Sequence, residues 1–173
     1  MLRILNKIRS LGTISDAPPS DSTITARSGA LQHVVDNNFA HSLSIRHVDA
    51  GSCNGCELEL HALSNAYYSI ERYGIQFTAS PRHADVLLVT GPVTSRMREP
   101  LLTAYNAMPD PRRVAALGDC ALGCNLLGTA DNIVGPLERL LPVDLRIPGC
   151  PPTPDAIAQA LLGLIDATAS PAG

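Results

Sequence analysis

Aromatic residues are scarce in this 173-residue chain: there is no Trp, and four Tyr with two Phe make up 3% of it. Platforms on which bases could stack are therefore not expected. Positive charge is also short, with 13 Lys and Arg against 16 Asp and Glu for a net charge of −3, and no basic run follows an aromatic. Both features argue against a nucleic-acid surface, and nucleic acid is not expected among the partners. No apolar run approaches the roughly 20 residues that cross a bilayer. The opening "MLRILNKIRSLG" interleaves Arg3, Lys7 and Arg9 with apolar residues and so lacks the unbroken apolar stretch of a secretory signal. Met1, Ile4, Leu5, Ile8 and Leu11 fall on one helical face there. That face suits a membrane-surface, partner-binding or transit helix as well as a short tail helix packed on the domain.

What is present points to one folded domain. Apolar residues reach 45%, enough for a full core at this length. Fourteen prolines and thirteen glycines mark many tight connections. Five cysteines without an export signal indicate a reducing compartment, where thiols serve metals or catalysis more often than structural disulfides.

Residues 1–41 read as an N-terminal arm, rich in Ser, Thr, Asp, Pro and Ala beyond its first turns. From Ser42 the texture changes, and 42–167 reads as the domain, with 168–173 a loose tail. "SLSIRHVD" alternates like a strand. "ELELHALSNAYYSIERYG" predicts a helix over 57–74, with Leu58, Ala62, Leu63, Ala66, Tyr67 and Ile70 inward and Gly74 as its C-cap. "IQFTAS" predicts a short second strand, and "DVLLVTG" a third buried on both faces. A helix follows over "REPLLTAYNAM", then strands over "RRVAALGD" and "VDLRIPG". The last helix, "TPDAIAQALLGLI", has Thr153 as N-cap and Pro154 at its first position. Strands alternating with helices imply an α/β, doubly wound, mostly parallel sheet. In such sheets ligands bind beyond the carboxyl ends of the strands.

Every cysteine follows a predicted strand: Cys53 and Cys56 the first, Cys120 and Cys124 the fourth, Cys150 the fifth. The thiols thus fall at one edge and form one site. Three chemistries compete for it. A [4Fe–4S] cluster suits one close pair and two distant singles on loops, with Gly51, Gly55 and Gly149 admitting backbone N–H groups to sulfur and Pro151 following Cys150. Zinc more often uses two close pairs and staples domains without much core, which makes a zinc-stapled interaction module the weaker alternative. Thiol redox chemistry needs only the Cys-x-x-Cys pair and leaves Cys120 and Cys150 unexplained. Cys120 follows its strand directly and is the expected ligand of "GDCALGCN", whereas Cys124 reads as a small buried hydrophobe or a redox-sensitive neighbour. Asp49, Glu57 and Asp119 flank the thiols and serve caps and loops as readily as proton relay or potential tuning. His61 and His83 lack metal-ligand spacing.

The stretches "GSCNGCELE", "SPRHADVLLVTGPVT", "MPDPRRVAALGDC" and "PVDLRIPGCPPTPDAI" resemble the small subunit shared by respiratory complex I, its 20 kDa subunit, and membrane-bound energy-converting [NiFe] hydrogenases of the formate hydrogenlyase type. The likeness runs from about Ser42 to Leu164. Complex I subunits carry two adjacent cysteines in the first motif, so Cys53-Asn54-Gly55-Cys56 is closer to the hydrogenase branch. The segment between Cys120 and Cys150 is shorter than in many relatives, and Cys124 stands where glycine is common. The resemblance implies a flavodoxin-like fold and one [4Fe–4S] cluster on Cys53, Cys56, Cys120 and Cys150. It implies no catalytic residue in this chain. The implied partners are a large catalytic subunit, a ferredoxin-like iron–sulfur subunit and, through the arm, membrane subunits, all at the cytoplasmic face of the inner membrane. The implied function is electron transfer within a hydrogenase or a nickel-free, complex I-like relative.

Overall fold

The computed structural model describes residues 43–123 and 132–168; the predicted arm and Cys124 lie outside the described residues, as does all but the first residue of the predicted tail. In chain order the strands are β1 (Leu43–Asp49), β2 (Ile75–Phe77), β3 (Val86–Thr90), β4 (Val93–Thr94), β5 (Arg113–Leu117), β6 (Ile133–Gly135) and β7 (Leu145–Ile147). The helices are α1 (Gly55–Leu63), α2 (Arg98–Asn106), α3 (Asp119–Leu122) and α4 (Pro154–Thr168). Five strands form a sheet in the order β2-β1-β3-β5-β7, each neighbour pair parallel. Counting sheet strands only, that is the 2-1-3-4-5 order of flavodoxin-like folds, with a switch point between β1 and β3. All five sheet strands coincide with the predicted ones.

The apolar run of β3 explains its central place, since all five of its residues are buried. Alternation divides them between two cores. Val86 and Leu88 pack with Leu60 and Leu63 of α1 and with Ile157 and Leu161 of α4. Leu87 and Val89 pack on the other face with Leu101 of α2 and Met108. Each such buried side chain contributes about 1.5–3 kcal/mol. Thr153 caps α4 as its sequence suggests, its hydroxyl accepting the Ala156 N–H at 3.3 Å.

Two expectations need correction. The helix predicted over 57–74 stops at Leu63, and Leu58 and Tyr67 are exposed rather than inward. Asn65 causes the break: its side-chain oxygen accepts the N–H groups of Tyr67 at 2.8 Å and Tyr68 at 3.0 Å, competing with the helical ladder. A short 3-10 turn, Ile70–Tyr73, follows, and Gly74 closes that turn at φ 79°. The antiparallel ribbon of β4 and β6 is an addition to the predicted strands, because two and three residues carry no readable period.

The register is set by the same device twice. Asp85 donates its N–H to the Ser44 carbonyl and accepts the Ser44 N–H on Oδ2, both at 2.8 Å. Asp144 does likewise with Val114, at 2.9 and 2.8 Å. Each aspartate precedes a strand and locks it to its neighbour. Ser44 is only 8% exposed, so losing the carboxylate leaves a buried donor unpaired. Asp85→Ala is expected to cost roughly 1–3 kcal/mol, lowering Tm by about 2–10 °C. Asp85→Asn, which keeps an acceptor, is expected to cost less. Thermal unfolding checks this, and an unchanged Tm in the alanine variant contradicts the clamp.

Candidate functional site

Parallel strands send every strand-to-helix connection out at one edge. After β1 the chain turns at once: Asp49 Oδ1 accepts the N–H groups of Gly51 at 2.8 Å and Ser52 at 2.7 Å. Asn54 then takes a left-handed conformation at φ 71°, and α1 starts with Cys56 in its first turn. The turn after β3 presses against this loop. A Cβ on Gly91, at φ 75°, would lie 2.4 Å from the Ser52 nitrogen, so no other residue fits there.

The other two cysteine loops close on the first. Gly118 follows β5, and a Cβ on it would come within 2.6 Å of Cys56 Sγ. Asp119 Oδ1 accepts the Gly149 N–H at 2.8 Å, and the Asp119 N–H donates to the Gly149 carbonyl at 2.9 Å. This pair laces the Cys120 loop to the Cys150 loop. Gly55 lies between Cys53 Sγ, 3.5 Å from where its Cβ would be, and Pro151 at 3.9 Å. Cys53, Cys56, Cys120 and Cys150 are thus gathered at one edge by three loops. Cys53 and Cys150 are exposed, while Cys56 and Cys120 are half-buried, so the group has a more sheltered inner side and an open outer one. Among the described residues no three His, Cys, Asp or Glu side chains form a group that could hold a metal ion.

Burial pushes the Cys56 thiol up to about 12, helped by Glu57 and by the other three thiols. Cys120 is raised for the same leading reason, then by Cys150, Cys53 and Asp119. Cys56 and Cys120 therefore resist ionisation through burial and the like charges beside them, the setting in which a bound cation would favour the thiolate form.

Beside the thiols lies a polar network that no motif in the sequence announces. Glu57 is buried and accepts two hydroxyls, Ser52 Oγ at 2.6 Å on Oε2 and Thr90 Oγ1 on Oε1. Ser52 Oγ also accepts the Asn54 N–H at 3.0 Å. His47 Nε2 lies 2.9 Å from Thr90 Oγ1 and 3.7 Å from Glu57 Oε1. Burial depresses the His47 pKa below its usual value despite the pull of Glu57 and Asp49. The one signal in the sequence is Thr90, a polar residue closing an apolar strand. Glu57 stands in the first turn of α1, as its position suggests, but its side chain turns inward. Asp49 and Asp119 are loop-builders, again as their positions suggest. His61 lines an open cavity of about 530 Å³ with His47, Asn54 and Glu57, and His83 sits in a separate 3-10 turn, Pro81–His83.

Thiolate is the species that alkylates, and each unit of pKa rise lowers its fraction about tenfold. In the reduced, metal-stripped chain at pH 8, Cys53 and Cys150 are expected to take iodoacetamide first and Cys56 last, at least about tenfold slower. Peptide mass spectrometry over time checks the order; equal labelling of Cys56 contradicts the half-buried placement.

The comparisons with known proteins agree with this geometry. Residues 53–164 match the family described as "NADH ubiquinone oxidoreductase, 20 Kd subunit". The chain is 45% identical over 116 residues to "Probable membrane-bound hydrogenase subunit mbhJ" of Pyrococcus furiosus, covering 67% of this chain and 70% of that one. It is 39% identical over 152 residues to a subunit of the NADH-quinone oxidoreductase of Geobacter metallireducens, covering 87% of this chain and 85% of that one. Among solved structures, a chain of the membrane-bound sulfane sulfur reductase, an archaeal respiratory membrane complex, superposes with a TM-score of 0.64 at 34% identity, covering 76% of this chain and 75% of that one. These relatives are subunits of oxidoreductase complexes rather than enzymes on their own. By the span and identity of these matches, the chain belongs to the NADH ubiquinone oxidoreductase 20 kDa subunit family.

Proposed function

We propose that this chain is the electron-transfer subunit of a membrane-bound multisubunit oxidoreductase, holding one [4Fe–4S] cluster through Cys53, Cys56, Cys120 and Cys150. The observation that carries the reading is the meeting of three cysteine loops at one sheet edge. The residues fit such a group in donor set and in space. Four thiolates are its usual ligands. Gly118 and Gly55 leave open the volume that a side chain would fill beside Cys56 and Cys53. A cubane spreads its ligands over the corners of a cube, so the four thiols need not gather as tightly as round a single ion.

When bound, such a cluster supplies one-electron transfer at a potential between about −700 and +450 mV. The chain's own residues do the rest. Half-buried Cys56 and Cys120 form the sheltered side, while exposed Cys53 and Cys150 face the side assigned here to the large catalytic subunit. A ferredoxin-like iron–sulfur subunit is the proposed electron partner, and the arm at 1–41 the proposed link to membrane subunits. A peripheral position at the cytoplasmic face is proposed for the chain; among the described residues no helix is long and apolar enough to cross a membrane.

The Cys-x-x-Cys spacing and the 45% identity to the mbhJ subunit favour an energy-converting [NiFe] hydrogenase, formate hydrogenlyase-like in arrangement. Reversible proton reduction would then occur in the partner. A nickel-free relative, quinone-reducing or other, is the second reading. It is favoured by the wider coverage of the NADH-quinone oxidoreductase relative and by the sulfane sulfur reductase fold match.

Replacing Cys150 by Ser in the native complex is expected to lower electron flow to background while the large subunit still co-purifies. Turnover at the wild-type rate in that variant contradicts the assignment. Nickel in the same purified complex selects the hydrogenase reading, and iron without nickel selects the second.

A further inference from the structure

Two donor relays end on one buried carboxylate. Thr90 spends its hydroxyl hydrogen on Glu57 Oε1, so its oxygen is left to accept, and His47 Nε2, 2.9 Å away, is the donor. The first relay therefore runs from His47 Nε2–H to Thr90 to Glu57. The second runs from the Asn54 N–H to Ser52 Oγ, and from Ser52 to Glu57 Oε2 at 2.6 Å. Both oxygens are occupied, each by a hydroxyl that is itself polarised by a further donor, the arrangement in which hydrogen bonds strengthen one another. The partners come from three places in the fold: β1 and β3 at the switch point, and the loop carrying Cys53. Glu57 itself adjoins Cys56 in the first turn of α1, which puts its carboxylate beside the thiol group.

Ordinary helix capping does not account for this. A first-turn carboxylate stabilises a helix from the surface, where no burial is needed. Glu57 is instead 9% exposed, a placement that costs free energy unless the carboxylate is hydrogen-bonded. The residues it ties down are those between and beside the two close cysteines.

We propose that Glu57 is a positioning residue that clamps the Cys53–Cys56 loop onto the ends of β1 and β3, and that its fixed negative charge biases the thiolate site against an added electron. This rests on the electron-transfer reading given above. The hydroxyls of Ser52 and Thr90 do the holding, and the charge acts on the site through Cys56. A neutral isostere at Glu57 keeps the shape and removes the charge. A valine at Thr90 keeps the shape and removes one hydroxyl.

The test uses the native complex purified through this subunit, as wild type, Glu57→Gln, Thr90→Val and Thr90→Ser. Iron content, midpoint potential by redox titration with electron paramagnetic resonance at one pH, and hydrogen exchange of the 51–58 segment are measured on each. Glu57→Gln is expected to retain iron and to raise the midpoint potential. Thr90→Val is expected to speed exchange in 51–58, and Thr90→Ser to restore the wild-type rate. An unchanged potential in Glu57→Gln at full iron overturns the proposal, as does unchanged exchange in Thr90→Val. Should Glu57→Gln fail to assemble, the two Thr90 variants decide it by exchange alone. Wild-type complex whose redox titration shows no cluster assignable to this subunit would instead sink the electron-transfer reading, leaving the exchange arm to judge the clamp.

Discussion

Parallel pairing is the constraint from which the rest of this structure follows. Because β1, β3, β5 and β7 run the same way, the loops that leave their carboxyl ends share one edge, whatever their distance in sequence. Residues nearly a hundred positions apart, Cys53 and Cys150, are brought to one place without any bond between them. The parallel arrangement in turn depends on burying β3 on both faces, and β3 is buried because its five residues include four aliphatic ones covered by helices on either side. The aspartates at the foot of β3 and β7 then fix the register, so that the loops emerge level with one another.

The edge is built for close approach. At Gly91 and Gly118, positive φ and a lack of room for Cβ coincide, each where one loop meets the next. Side chains there would separate the loops that the sheet has brought together. The Asp119–Gly149 pair completes the closure with two hydrogen bonds across loops. One side of the thiol group is more sheltered than the other, which suits the electron-transfer role proposed above.

Much of this is legible in the sequence, and the limits are physical. The five sheet strands show as apolar or alternating runs, and the thiols fall after them by simple counting. Periodicity over 57–74 overstates the helix because Asn65 and the left-handed Ser69 break it through local hydrogen bonding and backbone conformation, to which side-chain spacing is blind. The β4–β6 ribbon is too short to carry a period. The Glu57 network escapes a sequence reading for a different reason: Ser52, Glu57 and Thr90 are commonplace at turns and helix starts. Only the juxtaposition of β1, β3 and the cysteine loop turns them into one buried group. Which complex the chain serves is legible only through resemblance, because the features that separate the branches of the family are the spacing of one cysteine motif and the identity to particular relatives.

The central claim is that Cys53, Cys56, Cys120 and Cys150 hold one cluster, and Cys124 does not. Iron and acid-labile sulfide, counted per complex in wild type and in Cys56→Ser and Cys124→Ser variants, test it most directly. The account predicts that Cys56→Ser loses about four iron and four sulfide, the content of one cubane, and that Cys124→Ser loses none. Equal metal content in wild type and Cys56→Ser, or loss of the cluster in Cys124→Ser, would contradict it.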